Sequence, residues 1–397
     1  HREAAPAGGR LALGVGRLIR AVSLRDDTAL ADLEPAWREL WLRLGRGNPF
    51  NHPAWVLAWL KHLGAGIRPE AAAVFEGRDL VALAPLGRRR FGPWQRLTPL
   101  GSPLADYPEP LLDGRPGAGP ALISQFLQVG WDWLDLIDLP ADSPDLASLQ
   151  SDLRNNGLKP ILVEWAACPR VSLTGSWEDY WAAKKRKFRY NLRRSQRLLA
   201  EEAGPLRLEE IRGEVEVKAG LARAADIHAA RWARRYTRTV FSSRAGRAFF
   251  DQALAGLAAE GLARLYLLWA GGDLAAFSLS FVGPRTHYYY IPGFDPQFSK
   301  YSPGTLLLWE LVSKSFREGL SRLDLMKGEE EYKSRWTNQI SGTVHLLAAR
   351  PNDWARSGLR LRLAGLDLYR WARREPRVRR LFFGLMDPLA GLKRRLS

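Results

Sequence analysis

Two short patterns occur twice in this chain, in the same order and at nearly the same spacing. Phe75-Glu76-Gly77-Arg78-Asp79-Leu80-Val81-Ala82 and Trp269-Ala270-Gly271-Gly272-Asp273-Leu274-Ala275-Ala276 both read aromatic-x-Gly-x-Asp-Leu-x-Ala. Gly130-Trp131-Asp132-Trp133-Leu134-Asp135-Leu136 and Gly319-Leu320-Ser321-Arg322-Leu323-Asp324-Leu325 both read Gly-x-x-x-Leu-Asp-Leu. The members of the first pair are 194 residues apart and those of the second 189. Repetition nearly in register over such a distance implies one domain built twice.

The content of each copy follows from local chemistry. In the first pattern, strand-type apolar residues flank a Gly and an Asp that supply turn geometry. Each copy is therefore a β-hairpin, over 71–75 and 80–86, and over 265–269 and 274–282. In the second, a helical segment (121–129 or 305–318) runs into a Gly suited to a helix C-cap, and Leu-Asp-Leu forms a short strand. Trp37, Leu40, Trp41 and Leu44 share one helical face. Further helices are expected over 53–63, 177–203, 217–235 and 245–260. The connector 140–169 carries a strand near 161–165. Tyr288-Tyr289-Tyr290 alternates faces on a strand, with Tyr289 opposed to the other two. Helices alternating with hairpins give an α+β class, two mixed sheets flanked by helices. The expected plan is a mobile arm over 1–20, a first domain over 21–165, a second over 166–350 and a basic amphipathic helical tail over 351–397.

Composition removes several function classes. The one cysteine, Cys168, excludes an internal disulfide framework and a Cys-rich zinc site. The six histidines lack metal-ligand spacing, so no metal is expected. No Walker A loop, G-x-G-x-x-G or G-x-S-x-G is present. No run of about 20 apolar residues lacks charge, which excludes a multi-span membrane protein. The chain begins at His1, and we expect a trimmed or partial sequence; 11–19 is interrupted by Arg17 and is not expected to be a signal peptide. Lys+Arg 59 against Asp+Glu 42 leaves a formal charge of +17, which favours anionic partners.

The order of further motifs carries a resemblance. Pro49-Phe50 with Trp55 is followed by Leu83-Ala84-Pro85-Leu86 and Asp106-Tyr107. Lys187-Phe188-Arg189-Tyr190-Asn191-Leu192-Arg193-Arg194 and His228 with Arg231-Trp232 come next. Tyr288-Tyr289-Tyr290, Gly293-Phe294-Asp295, Ser302-Pro303-Gly304, and Gly328-x-Glu330-x-Tyr332-Lys333 with Trp336 complete the series. Over 25–350 this resembles the GNAT acyltransferase fold in tandem, and more closely the cellulose-biosynthesis-type (BcsL/CelD-like) acetyltransferases, related to Fem-type aminoacyltransferases. The resemblance implies an acyl-CoA donor, acetyl-CoA foremost, and a cytoplasmic enzyme acting on an amine or hydroxyl acceptor in envelope or exopolysaccharide synthesis. Two other functions stay open: a Fem-type transferase using aminoacyl-tRNA, and a non-catalytic scaffold of a polysaccharide machine.

Candidate residues follow from this frame. A helix N-terminus favours an anion, and the resemblance puts the CoA pyrophosphate at the loop holding Lys300, Ser302, Gly304 and Thr305. The alternative is an ordinary helix start. The run 184–197 has eight basic residues and no acid, and Arg189 and Arg193 share a helical face. It reads either as an anion site facing the cleft between the halves or as a solvated face. Glu330 is the candidate general base, and Tyr332 or Tyr301 the donor to a departing thiolate. The structural alternative pairs Glu330 with the basic run and makes Tyr332 an anchor. Asp106, Tyr107, His228, Arg231 and Lys333 join Arg189 and Arg193 as candidate substrate contacts. The tail reads as a peripheral element at an anionic membrane surface or as a cap on the second domain.

Overall fold

The computed structural model describes residues 19–233, 241 and 243–375. Most of the expected mobile arm, and the tail beyond residue 375, lie outside the described residues. The first half runs β1 (Ile19–Leu24), α1 (Asp27–Asp32), α2 (Glu34–Leu44), α3 (Pro53–Leu63), β2 (Arg68–Pro69), β3 (Ala71–Glu76), β4 (Asp79–Ala84), β5 (Leu86–Phe91) and β6 (Trp94–Pro99). It continues with β7 (Leu111–Leu112), α4 (Ala118–Leu127), β8 (Trp133–Pro140), α5 (Leu146–Asn155) and β9 (Ile161–Ser172). The second half runs α6 (Trp177–Ala182), α7 (Arg186–Ala203), β10 (Leu206–Ile211), α8 (Glu214–Ala233), α9 (Arg244–Ala259), β11 (Ala263–Ala270), β12 (Asp273–Val282) and β13 (Thr286–Phe294). Then come α10 (Pro303–Arg317), β14 (Arg322–Asp324), α11 (Glu331–Ser334) and β15 (Gln339–Ala349), with α12 (Asp353–Arg374) as the tail helix.

The repeat is visible down to its irregularities. Hairpin β3–β4 pairs Val74 with Ala82, then shifts to pair Phe75 with Leu80 and Glu76 with Asp79. Hairpin β11–β12 pairs Leu268 with Ala276, then shifts to pair Trp269 with Leu274 and Ala270 with Asp273. The bulge falls at the same place in both. Gly77 and Gly271 open the two turns at φ +64° and +59°, where a side chain is disfavoured. At Gly271 a Cβ would also strike the Ala203 carbonyl. β1 lies antiparallel to β3 as β10 does to β11. α4 and α10 both start after a left-handed residue, Gly117 and Ser302, with no side-chain cap.

The α+β class expected from the pattern is the one adopted, but the sheets are not divided one per half. A four-stranded sheet, β1-β3-β4-β7, belongs to the first half alone. An eleven-stranded sheet runs β10-β11-β12-β13-β14-β9-β15-β8-β6-β5-β2. Its centre is an exchange. β9, which ends the first half, pairs with β14 of the second, and β15, which ends the second, pairs with β8 of the first. β9 and β15 also pair with each other from Gln339↔Arg170 to Leu347↔Ile161. The expected boundary between Trp165 and Ala166 therefore falls inside β9.

Aromatic residues lock the halves together on one face. Phe50 and Trp55 meet Phe281 edge-on, at 5.7 and 5.8 Å between ring centroids, and both also meet Tyr290. Trp55 is fully buried against Phe249 of α9 as well. Such pairs add about 0.5–1.5 kcal/mol each beyond their buried area. Tyr288 and Tyr290 belong to this core, while Tyr289 faces the opposite one beneath α10, as alternation requires.

Two expected elements differ. The single helix over 177–203 is broken between α6 and α7, because Lys185 takes an extended ψ of 132°. The tail helix α12 is a cap, on strands of both halves. It covers β8 and β15, burying Leu359 and Leu366 against Trp133 and Leu347 beside Phe91 and Trp94 of the first half. Gly358 makes this approach feasible, since a Cβ there would meet the rings of Trp133 and Trp94. Among the described residues no helix is long and apolar enough to cross a membrane.

Candidate active site

β13 and β14 run parallel for three residues only, Thr286–Tyr288 against Arg322–Asp324. β13 then continues to Phe294, while the other chain turns away at Met326, which takes φ +62°. A parallel pair that forks in this way leaves backbone polar groups on both arms that need other partners. The first half also sets groups against side chains of both arms. Tyr290 donates its hydroxyl to the Leu104 carbonyl at 2.8 Å, beyond the fork on β13. Tyr107 donates to Asp324 Oδ1 at 3.0 Å, at the tip of β14. The segment 104–107 thus lies against both arms.

A charged network surrounds the tip. Asp324 also accepts from Met326 N at 2.8 Å and from Arg170 Nε on β9 at 2.8 Å. Arg170 reaches on to Asp142. Lys327 Nζ lies 2.5 Å from Asp106 Oδ1 and 2.9 Å from Asp138 Oδ2. Thr343 donates to the other oxygen of Asp138 at 3.3 Å. Burial alone would depress the Lys327 ammonium, but Asp106 and Asp138 hold it above the ordinary lysine range. Burial pushes the Asp106 carboxyl up, with the Lys327 charge opposing it. Burial likewise lifts the Cys168 thiol to about 12, so this cysteine is inert as a nucleophile at neutral pH. Tyr107, Asp138 and Met326, all with positive φ, converge here. Non-glycine residues held so cost energy and collect at functional sites.

Glu109 lies two residues past Tyr107 and accepts from Ser143 Oγ at 2.6 Å. Burial raises its carboxyl to about 7, a range suited to a general base.

The other expected residues are placed as follows. Asp106 and Tyr107 are in the network. Lys333 is buried and donates to the Lys327 carbonyl at 2.9 Å, with Glu330 2.8 Å from its Nζ. Lys333 thus braces the turn that presents Lys327. Glu330 is exposed at the start of α11, paired with Lys333 and not with the basic run. Tyr332 is half-buried against the core under α10. At the start of α10, the Ser302 carbonyl accepts from Thr305 N and Leu306 N. Ser302 is exposed and Thr305 half-buried. Gly304 faces Phe294, with 3.4 Å available to a Cβ. Lys300 is held by Glu202 at 2.8 Å, and Tyr301 gives its hydroxyl to the same carboxylate. Tyr301 is therefore engaged by Glu202. Arg189 is half-buried and Arg193 exposed on α7, which packs on β10, β11, α10 and the turn Pro296–Tyr301. The run lies along the second half. Its N-terminal end touches the site's flank, where Phe188 meets Trp336 edge-on and Lys184 donates to the Trp336 carbonyl at 2.7 Å. His228 and Arg231 fall within α8, but their side chains lie outside the described residues. Among the described residues no group of three or more His, Cys, Asp or Glu is placed to hold a metal ion.

The first half has a counterpart to the tip. Asp135 corresponds to Asp324 in the repeat, and Asp138 to Lys327. Asp135 is fully buried between Arg96 at 3.3 Å and Arg362 of α12 at 2.9 Å, with His345 nearby. Burial opposes its charge, yet the two guanidinium groups hold its carboxyl below the usual range. The pairing of Asp138 with Lys327 thus joins equivalent positions of the two copies. The repeat offset carried that signal, since each lies three residues beyond the repeated Asp.

Comparison with known proteins gives three findings. Residues 186–334 match the family described as an acetyltransferase (GNAT) domain. No curated protein matches the chain. Among solved structures, FemX superposes with a TM-score of 0.55 at 12% identity, over 78% of this chain and 94% of that one. The C-terminal domain (DUF2156) of a putative lysylphosphatidylglycerol synthetase from Agrobacterium fabrum gives 0.52 at 14%, over 85% and 97%. L-PGS from Bacillus licheniformis gives 0.51 at 16%, over 83% and 96%. These likenesses are of fold. Residues 186–334 therefore match a GNAT acetyltransferase domain, set within a mixed α/β architecture of two related halves.

Proposed function

We propose that the protein transfers an acyl group, acetyl foremost, from acyl-CoA to an amine or hydroxyl acceptor. The observation that carries this reading is the β13–β14 fork inside the acetyltransferase-matched segment, with a helix N-terminus on one arm and a fixed ammonium on the other. The start of α10 would take the donor's phosphates, using backbone N–H groups around Gly304 with Ser302 and Thr305; Lys300 would exchange Glu202 for phosphate. The thioester would lie along β13 beyond the fork, where a backbone N–H would polarise its carbonyl. Lys327, fixed by Asp106, Asp138 and the brace of Lys333, adds a positive charge beside the developing oxyanion. Two carboxylates compete for the base: exposed Glu330, and Glu109 with its raised carboxyl. Tyr332 would give its proton to the departing thiolate. Arg189, Arg193, His228 and Arg231 are assigned to the acceptor or the donor's outer part. The first half is then a copy without its own reaction, because Arg96 and Arg362 of α12 both close on Oδ2 of Asp135 and the tail helix covers that tip. The setting we favour is envelope or exopolysaccharide synthesis at the cytoplasmic face of a membrane.

One observation favours a second reading. The fold is shared with FemX and with proteins named for lysyl transfer to phosphatidylglycerol, and the basic face of α7 is largely open. An aminoacyl-tRNA would suit that face. Calorimetric titration of the full chain with acetyl-CoA, longer acyl-CoAs and aminoacyl-tRNA tests both. Acyl-CoA binding that Gly304→Val removes supports the first reading. Tight tRNA binding without acyl-CoA binding overturns it in favour of the second.

A further inference from the structure

The tail helix has two apolar faces, and the fold uses one. Leu359 and Leu366 are buried on the β8–β15 side, with Leu363 partly buried beside them. Trp354, Leu361, Leu368 and Trp371 recur on the opposite side, and about half of each is exposed: 53%, 53%, 47% and 53%. Ser357 and Ala364, exposed between them, complete one line with a three-and-four spacing. From Trp354 to Trp371 the line is about 26 Å long at 1.5 Å per residue. Because the inner face is packed on the sheet, this line is the outermost layer of that side. A continuous apolar line of this kind on a water-facing helix signals an interaction surface.

Charge identifies the occupant. Arg356 and Arg360 flank the line, while Arg362 turns inward to Asp135 and Arg370 to the Glu164 carbonyl of β9. Asp353 and Asp367 are the only acids of α12. The following segment, 376–397, holds six Lys and Arg against one Asp, with apolar residues between. A second copy of this helix would set arginine against arginine along the same line. An anionic bilayer accepts both the apolar line and the flanking charge. We propose that α12 lies flat on an anionic phospholipid surface, Trp354 and Trp371 marking the ends of the contact and the arginines meeting headgroup phosphates. This deepens the membrane-side setting proposed above, yet it requires neither acyl-CoA nor transfer, so either can fail without the other.

The test uses the full chain with vesicles of phosphatidylcholine alone and vesicles containing one-third phosphatidylglycerol, in a flotation assay. The triple variant Leu361→Ser/Leu368→Ser/Trp371→Ser removes the line without touching the packed face, and the single Leu361→Ser serves if the triple fails to fold. We expect the wild type to bind anionic vesicles at least about tenfold better than neutral ones, and the variant to lose about tenfold of that affinity with its melting temperature retained. Equal binding by variant and wild type overturns the proposal, as does no binding by the wild type in low salt. A wild-type dimer in light scattering that the variant dissolves, without vesicle binding, assigns the face to a second copy and overturns it too.

Discussion

Lys327→Met is the sharpest single perturbation of the site. In the wild type this ammonium sits between Asp106 and Asp138, at 2.5 and 2.9 Å, with side chains 24%, 11% and 7% exposed. At an effective dielectric of 20, each contact at about 2.9 Å is worth roughly 6 kcal/mol before desolvation is subtracted. Removing one partner of such a pair leaves charge buried without compensation, and the net cost is about 3–5 kcal/mol. That is a large part of a folding stability on the order of 5–15 kcal/mol. The cost should depend on pH. Burial already raises Asp106, and without Lys327 its folded-state value climbs further above the unfolded one. A carboxyl so raised destabilises the fold above its folded-state value and is harmless below the unfolded one, near 3.9. The deficit of Lys327→Met against wild type should therefore be full at neutral pH and shrink steadily as pH falls toward 4.

The assay is urea unfolding of wild type, Lys327→Met, Asp106→Asn and the double variant, at neutral and at mildly acidic pH. Asp106→Asn should recover about half or more of the loss in the Lys327→Met background, giving a coupling on the order of 2 kcal/mol. A deficit below about 1 kcal/mol that does not vary with pH, with no rescue by Asp106→Asn, would refute the network as described. Activity adds a second reading. Where the double variant regains stability but not transfer, the ammonium acts on substrate as well as on the fold.

Three further outcomes follow from the same geometry. Gly304→Val should abolish acyl-CoA binding in calorimetry with a melting temperature within a few degrees of wild type, since only Phe294 stands near the added Cβ. The pH–rate profile should inflect near 7 and lose that limb in Glu109→Gln, because burial sets that carboxyl at about 7; if Glu330→Gln removes it instead, the base is Glu330. Deleting the chain after Arg350 should lower the melting temperature sharply, because it uncovers Trp133 and Leu347 and strips Arg362 from buried Asp135. A truncated chain that melts like wild type would mean that α12 contributes little to the core.

The repeat made the hairpins, the helix before each Leu-Asp-Leu strand and the α+β class legible, because turn glycines and periodicity are local signals. The strand exchange was not legible. Nothing in 161–172 or 339–349 states which half each strand will join, since pairing partners such as Ala349 and Trp133 lie 216 residues apart in the chain. The site was half legible. Asp106-Tyr107 and Lys333 stood out as motif residues, and all three lie at or beside Lys327. Asp138 carried only the faint signal of its equal position to Lys327 in the repeat. Glu109 carried none, because its raised carboxyl comes from burial by the folded chain. The basic run 184–197 was conspicuous by composition, yet composition does not say which way a helix faces, and α7 lies on the second half's own layers.

The exchange also accounts for why a second half that matches a transferase domain would keep a first half whose own tip is sealed. β14 is three residues long and has β13 on one side for those three residues only. Its other side is filled by β9 of the first half, through Arg322↔Ser172, Leu323↔Val171 and Asp324↔Arg170. Arg170, on that borrowed strand, holds the Asp324 carboxylate, and Asp324 in turn fixes the turn at Met326 that delivers Lys327. Asp106 and Asp138, which clamp Lys327, also come from the first half. A second half expressed alone would lose the strand, the arginine and both carboxylates at once. The fork is therefore a property of the pair of halves, and the first copy supplies part of a site that neither half holds alone.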